Sequence, residues 1–171
     1  MIPPATPLTI EPLTAEAFRL FGDVIETSDA ARHFTINEGF AERHHDLARI
    51  DTSAEGGHTT VSIFKALPRT FPMAINLMER HPLGSQAFVA LAPVPFLVVV
   101  AVPTEVPGPQ NLRCFLAAPG QGVNYARGTW HYPLIALDMP GDFLVIDRGG
   151  LAGQANCDEV ALEEGVFWLV R

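Results

Sequence analysis

The chain has 171 residues, with 11 Lys+Arg against 19 Asp+Glu and a formal net charge of -8. A single domain of this length buries roughly 70% of the surface its unfolded form exposes, enough for a core without staples, and its acidic balance leaves no basic patch for nucleic acid. The longest apolar run, Phe96 to Val102, stops at Pro103, far short of the ~20 residues of a membrane-spanning helix.

The N-terminal stretch MIPPATPLTI lacks the basic start and continuous apolar core of a secretory signal, so a cytoplasmic location without membrane contact is expected. A helix is predicted after Thr14, which caps AEAFRLF, with Glu16 complementing the dipole in the first turn and Gly22 supplying the stop. Ala17, Phe18 and Phe21 share its inner face. Beyond Gly22 the pattern turns to short β-rich runs: VSIFKAL from Val61, FLVVVAV from Phe96, LRCFLA from Leu112, PLIAL from Pro133, DFLVID from Asp142 and VFWLV from Val166. Punctuated by 15 Pro and 14 Gly, without helical periods between them, these predict an all-β sandwich or barrel with a short N-terminal helix, in one domain spanning 1–171. Cys114 in an apolar run and Cys157 in a polar one do not form a disulfide framework, and Cys114 is expected to be a packed thiol.

Two segments can carry chemistry. In MERHPLGSQAF, Glu79 and His81 point to one face of an extended segment and Arg80 to the other. Pro82 and Gly84 then turn the chain, so that Gln86 returns beside that face. Three polar groups on the inner face of an apolar barrel cost several kcal/mol unless they meet partners or a ligand, which marks a site. The alternative is a rim pairing of Glu79 with Arg80 or Arg69. In NYARGTWHYPL, Gly128 permits a tight bend and His131 follows it, leading into an apolar strand. The HHD triplet at His44, His45 and Asp46 is a weaker candidate, because adjacent histidines in a strand face opposite ways. His33 and His58 receive no role.

Paired in this order, the two segments resemble the motifs of the cupin superfamily, with Glu79-x-His81 in place of two histidines and Gln86 where an acid would stand. The longer phrases FGDVIET, INEGFAERHHDLA, MERHPLGSQAF, GQGVNYARGTWHYPL, DFLVIDRGG and NCDE resemble ureidoglycolate lyases from Leu8 to Trp168. The resemblance implies a cupin-like β-barrel (double-stranded β-helix), a homodimer, and cleavage of (S)-ureidoglycolate to glyoxylate and urea in allantoin breakdown. It implies no organic cofactor. A weakly bound divalent metal, with nickel suggested by the resemblance, would use Glu79, His81, Gln86 and His131. The resemblance implies that relatives often carry His where this chain has Ala126 and Tyr132, which moves the expected chemistry to His131 and His81.

On this reading His131 or Glu79 is the base and His81 the acid, and Gln86 bonds the ureido group. Arg127 is the preferred anchor for the substrate carboxylate, since its planar fork matches it, with Lys65 and Arg43 as alternatives. Two rival readings remain: a metal-dependent cupin oxygenase or isomerase acting on another small organic acid, and a non-catalytic glyoxylate-binding module.

Overall fold

A computed structural model describes residues 6–151, 156–162 and 167–170. The predicted β architecture is present. A five-stranded antiparallel sheet runs in the order Gly22–Ile25, Gly122–Tyr125, Gln86–Ala90, Gly141–Gly149, His58–Ala66. Facing it is a second sheet of Ile135–Ala136, Phe96–Ala101, Leu112–Ala117 and Ile10–Pro12. The pair Leu77–Arg80 and Asp158–Ala161 joins the second sheet through single-residue bridges at His131. The two sheets pack over a shared apolar interior, the all-β sandwich or barrel expected from sequence.

The strand Phe96–Ala101 is apolar throughout because both of its faces are covered. Phe96, Val98 and Val100 enter the interior cluster with Phe18, Phe21, Phe88, Phe115, Phe143 and Val145. Leu97, Val99 and Ala101 enter a second cluster on the outer side with Met78, Cys114, Trp130, Tyr132 and Leu169. Cys114 is buried there, and burial pushes its thiol up to about 12. It is a packing residue, expected to react with a thiol reagent only on unfolding; modification at the rate of an exposed thiol in the native protein would contradict this.

The helix is shorter than the sequence suggests. It spans Ala15–Phe18, with the Thr14 side chain accepting from Ala17 N at 3.2 Å as expected. Phe18 and Phe21 are fully buried. Gly22 does not end the helix but opens a strand: its φ is 143°, and a Cβ there would lie 1.9 Å from the Asn124 carbonyl oxygen. The PLIAL strand shrinks to Ile135–Ala136, and the last strand is Phe167–Leu169, its predicted start at Val166 lying outside the described residues.

Arg113 ties the N-terminal segment to the barrel. It donates to both Glu11 oxygens, at 3.0 and 2.6 Å, and to the Ala17 carbonyl at 3.2 Å, with its guanidinium over the Phe115 ring. The Arg113 bond holds the Glu11 carboxyl below its ordinary value. A depressed carboxyl contributes stability above its unfolded pKa and loses it as pH falls through the folded one. Glu11→Gln is therefore expected to destabilise by roughly 0.5–1 kcal/mol at neutral pH, this partly exposed pair being screened. Urea melts of both proteins should converge in acid below the ordinary carboxylate range.

Candidate functional site

The two segments singled out in the sequence lie side by side. Glu79 and His131 exchange backbone hydrogen bonds, each 2.8 Å, and Gly128 N donates to the His81 carbonyl at 2.9 Å. Gly128 sits at φ 77°, the left-handed region a side chain would disfavour. Gln86 stands opposite Tyr125 on the neighbouring strand. This register brings Glu79, His81, Gln86 and His131 together.

His131 is 1% exposed and stacks on Tyr125 at 4.1 Å between ring centroids. Its Nδ1 faces the Thr129 carbonyl at 2.9 Å, and the His81 Nδ1 faces the Asn156 carbonyl at 2.7 Å. A carbonyl only accepts, so both Nδ1 atoms carry hydrogens, and in the neutral tautomer each ring presents a bare Nε2. His131 Nε2 lies 3.3 Å from Glu79 Oε1 without hydrogen-bond alignment, and His81 Nε2 lies 3.1 Å from Gln86 Oε1. A proton on the neighbouring His131 Nε2 holds the Glu79 carboxyl below its ordinary value, although burial works against it. Glu79 is therefore ionised at neutral pH.

With both rings neutral, the two contacts, His131 with Glu79 and His81 with Gln86, set lone pair against lone pair, so each calls for a proton, which the ring nitrogen then donates, or a metal ion between them. Two donors on one first-row divalent ion, at ~2.1 Å each, stand roughly 3–3.4 Å apart. Both contacts have that spacing, and Glu79, His81 and His131 place ligand atoms within 4.8 Å of one another. Each histidine is also held from behind by a backbone carbonyl, as metal-binding histidines commonly are. The residues fit a divalent metal held by Glu79, His81, Gln86 and His131.

Each of the expected cationic anchors has another side-chain partner. Arg127 pairs with Asp51 at 2.8 Å and lines a surface groove of about 440 Å³ with Asp23, Arg49, Ser85 and Asn124. Ser85 and Asn124 turn toward that groove, while their strand neighbours Gln86 and Tyr125 face inward. Lys65 is 80% exposed and pairs with Asp142, and Arg43 stands over the Phe34 ring. Arg127→Lys is accordingly expected to leave kcat/KM within about threefold of wild type; a hundredfold loss would return Arg127 to the substrate.

Of the other candidates, His33 bonds Glu42 at 2.9 Å and stacks on His44, and His45 packs near Phe34. The two departures from the family pattern do not face the cluster. Ala126 is exposed, and the Tyr132 hydroxyl, on the outer side of the sheet, accepts from Arg69 at 2.9 Å. Cys157 approaches Glu79 and Glu159, but burial first and then these carboxylates push its thiol upward, leaving it protonated.

Three contributors escaped the sequence reading. Asp147 accepts from Gln86 Nε2 at 3.3 Å, Tyr125 supplies the stacking face for His131, and Asn156 anchors His81 and also accepts from Leu83 N at 2.8 Å. Alternation carries a signal for the first two, since Phe143, Val145 and Asp147 share a face, as do Val123 and Tyr125.

The family model described as "Ureidoglycolate lyase" matches residues 5–169. A ureidoglycolate lyase of Burkholderia cepacia is 56% identical over 156 residues, covering 91% of this chain and 86% of that protein. One from Azotobacter vinelandii (strain DJ / ATCC BAA-1303) is 53% identical over 152 residues, covering 89% and 90%. A third, from Burkholderia mallei (strain NCTC 10229), is 50% identical over 162 residues, covering 95% and 92%. With a model matched over nearly its whole length and relatives this similar, the chain belongs to the ureidoglycolate lyase family.

Proposed function

We propose that this chain cleaves (S)-ureidoglycolate to glyoxylate and urea at the cluster of Glu79, His81, Gln86 and His131. The substrate holds a hydroxyl and a ureido nitrogen on one carbon. As the hydroxyl loses its proton, its electrons form the carbonyl of glyoxylate and the carbon–nitrogen bond breaks. The electron pair stays on nitrogen, which takes a proton and leaves as urea.

The observation carrying this reading is an ionised carboxylate set among histidines whose Nδ1 protons are already committed. A neutral ring with its only proton on Nδ1 has none to give at Nε2. On this reading, with the rings in that tautomer, the proton traffic falls to Glu79 in place of His81, the acid expected from sequence. Because the reacting oxygen and nitrogen share one carbon, Glu79 can take the hydroxyl proton and return it to the departing nitrogen. His81 and His131 hold the geometry, and Gln86 offers an amide oxygen. A divalent metal bound by these four residues would supply Lewis-acid polarisation of the substrate hydroxyl and carboxylate oxygens.

The working form we infer is a single catalytic domain assembled as a cytoplasmic homodimer. Two free thiols, Cys114 and Cys157, suit a reducing compartment. No helix among the described residues is long and apolar enough to cross a membrane. His58–Ala66 closes one side of its sheet with Val61 and Ile63 exposed, a combination that a second copy would cover. Sedimentation should then show a dimer that Val61→Lys weakens; a monomeric wild type would contradict it.

The activity itself is tested by following glyoxylate release from racemic ureidoglycolate before and after chelation and metal add-back. Release is expected with the metal restored. No release under any metal condition would contradict the lyase reading, and oxygen uptake would favour an oxygenase.

A further inference from the structure

An amide is a weak metal ligand beside a carboxylate, and its two ends are nearly the same shape. Gln86 serves the site only if its oxygen faces inward and carries extra electron density. Nothing in Gln86 itself decides this.

The decision comes from behind. Asp147, on the Gly141–Gly149 strand, accepts from Gln86 Nε2 at 3.3 Å. An ionised carboxylate only accepts, so the amide nitrogen must face it, and the oxygen is turned to within 3.1 Å of His81 Nε2. Asp147 is itself pinned. Thr60, its direct cross-strand partner, donates its hydroxyl to the Asp147 carboxylate and lies 3.3 Å from the Asp147 carbonyl. Asp147 is absent from the group of ligand atoms that converge around Glu79, so it acts through Gln86 and not beside it.

We propose that Asp147 is a positioning residue that sets the divalent-metal affinity of the cluster. It fixes which end of the Gln86 amide points inward, and its negative charge, passed through the N–H bond, strengthens the amide oxygen as a donor. A ligand position that would ordinarily hold a carboxylate is thus divided: the amide stands at the site, and the charge stands one hydrogen bond behind it. This inference rests on the four-residue donor set described above.

Titration of the metal-free full chain with Co²⁺, read by calorimetry and by visible absorption bands that report ligand number, tests it. Wild type is expected to bind Co²⁺ stoichiometrically, and Asp147→Ala to bind roughly 10–100-fold more weakly with altered bands. The double variant Gln86→Glu with Asp147→Asn reverses the polarity of the pair, with the new amide donating to the new carboxylate. It is expected to bind at least as tightly as wild type.

Binding by Asp147→Ala within about twofold of wild type overturns the positioning role while leaving the donor set standing. If Asp147→Ala does not fold, the double variant decides, and binding more than about tenfold weaker than wild type overturns the proposal. A wild type that takes up no Co²⁺ overturns both the proposal and the donor set. None of these three results decides glyoxylate release, which tests the lyase reading separately.

Discussion

Glu79→Gln is expected to lower kcat for ureidoglycolate cleavage by about 10³-fold or more, within the range a positioned general base contributes. The change keeps the size of the side chain and its place beside His131, 3.3 Å away, but removes the charge that accepts the hydroxyl proton. Glu79 is half-buried at the end of a strand whose backbone bonds to His131 do not involve its side chain. The fold should therefore persist, with a thermal midpoint near that of wild type. Single-turnover release of glyoxylate separates chemistry from binding. A variant retaining more than about a tenth of the wild-type rate would remove Glu79 from proton transfer.

His131→Ala is expected to lose turnover by about 10²–10³-fold and to lose metal affinity along with it. Its ring is wholly enclosed, stacked on Tyr125 and bonded through Nδ1 to the Thr129 carbonyl. Removing it leaves a void, so a stability loss of about 1–3 kcal/mol should accompany the loss of activity. Circular dichroism should still report the β-barrel. The diagnostic is the split between the two losses: Tyr125→Leu disturbs the same packing without removing a nitrogen, and should keep far more activity at similar stability. Equal losses of activity in both variants would reduce His131 to a packing residue.

The particular residues show where sequence reasoning reached and where it stopped. Period-two alternation placed Glu79 and His81 on one face and Arg80 on the other, and the structure has Arg80 over Trp130, bonded to Asp158. The turn at Pro82 and Gly84 brings Gln86 within reach of His81 for a local reason, but on a strand of the other sheet, paired with Gly122–Tyr125 and Gly141–Gly149 and not with Leu77–Arg80. Arg127 was beyond that kind of argument. It lies in a turn, where alternation no longer fixes direction, and its partner Asp51 comes from a distant loop. Asp147 escaped for a related reason: the inward face of its strand is readable, but its pairing with Thr60 and its reach to Gln86 depend on sheet order. The helix ended early because Gly22 is drawn into a strand against the Asn124 carbonyl, a tertiary demand that capping rules do not contain.

The measurement that reaches the central claim most directly is the product balance from ureidoglycolate turned over by the purified chain. Elimination at the Glu79 cluster predicts urea and glyoxylate in equal amounts, no ammonia, and consumption of one enantiomer of the racemate. Ammonia and carbon dioxide released in place of urea would mean hydrolysis of the ureido group, and would contradict the account.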